Sequence, residues 1–169
     1  MNDSIAVPNA GIVLLNSYIP MLFDRLGITA DQQFTSPTNQ TDAVHYVQYL
    51  VTGLENTEEY LLPLNKVLCG LDVMTPLDSV ISISEDNKVL MDGLIRAAID
   101  HWPAIGESSI DGFRGNWLVR DGLLTEQEDR WELRVEKISY DILINQAPFS
   151  FSIIKFPWMP KPLHINCPF

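Results

Sequence analysis

Arg130 to Glu136, RWELRVE, decides how the rest of the chain is read. Trp131, Leu133 and Val135 alternate with Arg130, Glu132, Arg134 and Glu136, which is the two-residue period of a half-buried strand. Trp117 to Arg120 supplies an antiparallel partner through the loop Asp121 to Asp129, making one amphipathic hairpin. Upstream the apolar period is helical instead. The reading is therefore α+β, mainly α: several helices packed around a small antiparallel β-hairpin or three-stranded sheet.

Working outward toward the N-terminus, Glu85 to Trp102 reads as a helix. Ser84 caps it, Glu85 and Asp86 sit where the dipole favours acids, and Pro103 stops it. Leu90, Leu94, Ala97, Ala98 and Trp102 form its apolar stripe. Ser109 to Gly115 reads as a short helical turn, and Asp72 to Ser82 as a loop. In LLPLNKVLCGL, Pro63 opens a short helix and Gly70 closes it. Ala43, Val44, Val47, Leu50 and Val51 mark a further helix that ends at Gly53 and is capped by Asn39 or Thr41. Gly11 to Leu26 is a helix that Pro20 must kink or divide, because proline removes a hydrogen bond.

Toward the C-terminus, Phe149 to Lys155 suits a strand that adds to the hairpin. Four prolines between Pro157 and Pro168 forbid regular helix and leave an extended arm over 156–169. One globular domain over 1–169, with a flexible N-terminus at 1–9, is the expected organisation, since no repeat or linker divides the chain. A chain of 169 residues buries roughly two thirds of its unfolded surface and needs no disulfide or metal to fold.

Composition excludes several function classes. With 11 Lys plus Arg against 22 Asp plus Glu, the formal charge of −11 repels phosphate backbones and speaks against nucleic acid. No stretch approaches the ~20 apolar residues that span a bilayer, and the N-terminus lacks a signal-peptide pattern, so membrane contact is not expected. Cys69 and Cys167 lie far apart and read as reduced thiols. His45, His101 and His164 are not spaced to put two ligands on one helix face, so no metal is expected.

Motifs for chemistry are missing in the same way. Cys69 with His45 or His101 is the one nucleophile and base combination worth naming, and no spacing supports it. Cys69 lies on an apolar run and reads as core, while His101 reads as a helix C-terminal cation. Glu58, Glu59, Glu126, Glu128 and Asp129 fall in polar turns, where solvated carboxylates are the ordinary outcome. No catalytic residue, cofactor site or small-molecule substrate is expected. Trp102, Trp117 and Trp131 read as core anchors, whereas Trp158 in the arm needs either the domain body or a partner to cover it.

Five blocks in order carry a resemblance: GIVLLNSYIPMLFDRLG, AVHYVQYLVTG, LLPLNKVLCGL, IDHWPAIGESSIDGFRGNWLVRDG and WELRVEKISYDILINQAPFSFSIIKFPWMPKPLH. Together they cover most of Gly11 to His164, and the chain resembles the C-terminal domain of contractile injection system tape measure proteins. The resemblance implies a structural part of a phage-tail-like particle, cytoplasmic during assembly, then inside the particle and extracellular after release. It implies no enzyme and no catalytic residue. It also implies an extended measuring segment upstream, which is absent here whether the chain is a short natural member or part of a longer one.

The expected role is to dock or anchor the tube-length ruler at the baseplate or spike end, against inner tube, hub, spike or baseplate proteins, with a homo-oligomer as an option. Phe156, Trp158, Met159, Lys161 and Leu163 in the arm are the expected docking residues, and Arg130 to Glu136 is a second candidate through its polar face. The alternative is an adaptor or chaperone module that binds cargo or another soluble partner of the particle.

Overall fold

A computed structural model describes residues 3–78, 81–136 and 151–166. The fold is α+β and mainly α, with a sheet larger than the hairpin or three strands expected. Strands β1 (Ser4–Val7), β4 (Gly122–Glu126), β5 (Trp131–Val135), β6 (Ile153–Ile154) and β7 (Leu163–Asn166) form one sheet in the order β1-β4-β5-β7-β6. A separate small hairpin joins β2 (Thr29–Ala30) to β3 (Gln33–Phe34). β5 is the strand predicted from RWELRVE, and its Trp131, Leu133 and Val135 are buried as the alternation requires.

Its hairpin partner is a correction. Gly122–Glu126 pairs antiparallel with β5, Leu124 opposite Leu133 and Glu126 opposite Trp131, so the turn is shorter than predicted. Trp117 to Arg120 is not that strand, because Arg114–Leu118 closes as a π-helical turn directly behind helix α5 (Ile110–Phe113). The turn buries Trp117 against Trp102, ring centres 4.7 Å apart, and that aromatic packing overrides the strand-like look of the segment.

Residues 1–9, expected to be flexible, contain a strand. β1 pairs with β4 antiparallel, Val7 opposite Gly122, and buries Val7. Asn9 then ties this segment to the helices: its buried amide donates to Gln48 Oε1 at 2.8 Å and to Asn65 Oδ1 at 2.6 Å. Four residues with one buried side chain give little local signal, and it is tertiary pairing that orders them.

The helical half follows the sequence more closely. Ala10–Tyr18 is a 3-10 helix and α1 (Ile19–Arg25) begins immediately after it, so Pro20 sits in the first turn of a second piece rather than inside one rod. α2 (Pro37–Thr52) starts earlier than expected: Ser36, not Asn39 or Thr41, is the cap, accepting the Asn39 N–H at 3.0 Å, and Pro37 occupies the first turn. Gly53 closes α2 in the left-handed conformation at φ 74°. α3 (Pro63–Leu68) and α4 (Glu85–Asp100) have the predicted starts, with Ser84 accepting the Asn87 N–H at 3.2 Å. On α4 the buried residues are Met91, Ile95, Ala98 and Ile99, so the stripe lies one position beyond the Leu90 and Leu94 expected to lead it.

α2 is the central helix, in contact with α3, α4, the 3-10 helix and the π-turn. Its polar groups find partners inside the body. Arg114 from the π-turn reaches back to donate to the carbonyls of Leu50 and Tyr49 at 3.1 and 3.3 Å, satisfying the end of the helix. Val7, Leu124, Trp131, Leu133, Val135, Ile154 and Leu163 come from one face of the sheet and join the helical side chains in one core cluster.

Candidate docking surface

The five residues expected to dock a partner are brought together, but against their own chain. The expected extended arm over 156–169 is replaced, as far as it is described, by a strap that crosses the helices and ends in β7. Phe156, Met159 and Leu163 are buried. Trp158 packs on Phe23, Phe34 and Phe156 with ring centres 5.6, 5.0 and 5.4 Å away, and its indole N–H donates to the Leu68 carbonyl at 2.8 Å. Gly70 is shaped for this strap: its φ is +75°, and a Cβ there would collide with the Trp158 carbonyl oxygen. Lys161 pairs with Glu126 at 2.8 Å, donates to the Gln127 carbonyl at 2.8 Å and stands over the Trp131 ring. The body, then, covers one part of Trp158 and leaves the ring half-buried.

The strap also sets the sheet's topology. Leu163 to Asn166 runs parallel to β5, with Leu163 opposite Trp131, and Ile153–Ile154 adds outside it as β6. Part of the strand expected over Phe149 to Lys155 is therefore present as Ile153–Ile154, while Phe149 lies outside the described residues, as does Cys167. A parallel pairing between segments some thirty residues apart leaves no local signature. The arm's prolines read as extended chain, yet the apolar side chains between them make it fold back.

The second candidate, the polar face of β5, is partly open. Arg134 is exposed and Glu132 half-buried. Register places them beside Leu123 and Thr125 of β4, Ser4 and Ala6 of β1, and His164 and Asn166 of β7. This face is mostly polar, with Leu123 and Ile153 as its exposed large apolar residues.

One end of that sheet carries a feature the sequence reading missed. A groove of about 740 Å³ is lined by Ala6, Val7 and Pro8, by Leu123 and Val135, and by Tyr60 and Leu61 from a single 3-10 turn, Glu59–Leu61. Tyr60 is 70% exposed and Leu123 46% exposed, so the groove presents apolar surface to water. Asp121, Arg134 and Glu136 also line it. Glu58 acts on the Tyr60 hydroxyl by hydrogen bonding and charge, pushing that phenol above its ordinary range. The alternation in β5 located one wall. Tyr60 sat in what reads as an acidic turn, and nothing local joins it to Ala6.

The groups weighed for chemistry are held elsewhere. Cys69 is fully buried, and burial pushes its thiol far up from the ordinary range. His45 Nε2 lies 2.9 Å from the Asp78 carbonyl, and His101, which does sit at the end of α4, lies 3.0 Å from the Tyr18 hydroxyl. Among the described residues no three His, Cys, Asp or Glu side chains stand close enough to hold a metal ion. No helix of the described residues is long and apolar enough to cross a membrane.

These features define an acidic α+β fold in which several buried polar side chains among the described residues serve helix ends and core links. The chain belongs to the family of contractile injection system tape measure proteins, whose family model matches residues 1–166. No curated protein and no solved structure matches it.

Proposed function

We propose that this chain docks the tape measure at one end of the inner tube, on the baseplate or spike side. The observation that carries the proposal is its shape. Length can be measured only by span, and a packed chain of this size has a radius of gyration of roughly 15 Å. Stretched as one helix it would gain about 1.5 Å per residue, but the π-turn, the sheet and the strap hold it packed. Its contribution to length control is therefore made through contact with other particle proteins. The family supports a protein partner, a site of action inside the particle and a structural rather than chemical role.

The test is retention of purified tube, hub and spike proteins by the immobilised chain. Retention of hub or spike above tube is the expected result. Retention of a soluble effector protein instead, with none of the particle proteins held, would overturn it in favour of a cargo adaptor.

A further inference from the structure

We infer that the groove beside Tyr60 and the outer edge of β1 form one site for an extended segment of a partner protein, added as a strand and carrying lysine or arginine around one apolar side chain. The inference rests on the docking reading above and names the chemistry of what docks. Three observations carry it.

First, β1 has a strand neighbour on one side only among the described residues, so half of its backbone N–H and C=O groups face away from β4. Such an edge is a template for another strand. Ser4–Val7 carries no charged side chain, and because it is four residues long and followed by Pro8, the edge has room for a short segment only.

Second, the groove is continuous with that edge. Ala6 and Val7 belong to both, and Leu123 stands opposite Ala6 in the β1–β4 register on the outer face. A strand laid along β1 presents alternate side chains to this face, so one apolar side chain stands beside Ala6, at the mouth of the groove that Leu123 and Tyr60 line.

Third, the charged side chains that line the groove are net acidic. Asp121 and Glu136 line it and Glu58 stands at Tyr60, against Arg134 as the cation lining it. The chain as a whole carries −11. A cationic segment is drawn to such a rim and an acidic one is repelled.

The experiment uses the whole chain and a short acetylated peptide whose one face reads Lys, Val, Lys and whose other face is threonine. Two controls accompany it, one with glutamate for lysine and one N-methylated at alternate amides. The expected result is amide shifts confined to Ser4–Val7, Tyr60 and Leu123, affinity lowered about tenfold by the uncharged changes Leu123→Ser or Tyr60→Ala, and weak binding by both controls. Tyr60 is 70% and Leu123 46% exposed and neither belongs to the buried core, so the variants fold.

Equal binding of the lysine and glutamate peptides, or shifts elsewhere, would overturn the inference. So would slow hydrogen exchange, in the free chain, of the β1 amides that face away from β4, because the chain would then already cover its own edge. If Leu123→Ser chains hold hub or spike as well as the parent does, the groove is not the docking site and the docking reading stands. If even the unaltered chain holds no particle protein, the docking reading falls, and the peptide result alone decides the groove.

Discussion

The indole N–H of Trp158 donates to the carbonyl oxygen of Leu68, 90 residues away in sequence, at 2.8 Å. This bond fastens the end of α3 to the C-terminal strap, and the same ring packs on both Phe23 and Phe34, which also touch each other. Trp158→Ala removes both the ring contacts and the carbonyl's partner and is expected to cost about 3 kcal/mol. Trp158→Phe keeps most of the packing and loses mainly the hydrogen bond, about 1 kcal/mol. Urea unfolding of the two variants separates the effects. Equal losses would mean that the ring contacts carry little.

That relationship also shows where sequence reading stops. A large apolar ring among prolines needs a cover, and both an internal and an external cover satisfy that requirement. The choice depends on Phe23, Phe34 and Leu68, which lie in three separate elements. Where a signal is local it is legible: the Ser84 cap, the closure of α2 at Gly53 and the alternation in β5 all depend on residues within one turn or one strand. β1, the parallel β7 and the Tyr60 side of the groove depend on pairing across more than twenty residues. The start of α2 was legible and missed, since Ser36-Pro37 is itself a helix-start signal that the polar run around it obscured.

Arg114 holds together the end of α2, the start of α5 and α4. It donates to the Leu50 and Tyr49 carbonyls, pairs with Asp92 at 3.2 Å and stands 5.2 Å over the Tyr49 ring. Arg114→Ala leaves two carbonyls at a helix end without this donor and is expected to cost about 3 kcal/mol. Arg114→Lys recovers less than half of that, because an ammonium cannot reproduce the planar fork. Thermal melts of both variants check this. A lysine variant as stable as the parent would show that charge alone suffices.

Acid should weaken the link between α2 and α4 through Glu55. Hydrogen bonding from Lys88, then from the Ile83 N–H, holds the Glu55 carboxyl below its ordinary value of 4.5. A group with a depressed folded value contributes stability above its unfolded value and loses it as pH falls through the folded one. The stability difference between the parent and Glu55→Gln should therefore be full at pH 6 and shrink steadily below about pH 4.5. Denaturant titrations of the pair across that range decide it. A difference that does not change with pH would mean the carboxylate contributes nothing specific.

Cys69 should behave as a core atom and not as a reagent. Its side chain is fully buried, burial pushes its thiol far above the ordinary range, and its backbone carbonyl accepts a 2.9 Å hydrogen bond from Gln40. A nucleophilic cysteine needs the thiolate and access to it. In a Cys167→Ser background, Cys69 is expected to resist iodoacetamide at neutral pH until denaturant unfolds the chain, with a labelling rate that tracks the unfolded fraction. Labelling in the absence of denaturant at the rate of a free thiol would show an accessible sulfur and overturn the core reading, and a rate well above that of a free thiol would reopen the enzyme reading. Cys69→Ala, if the core reading holds, costs about 1 kcal/mol from the small void it leaves and changes no binding behaviour of the domain.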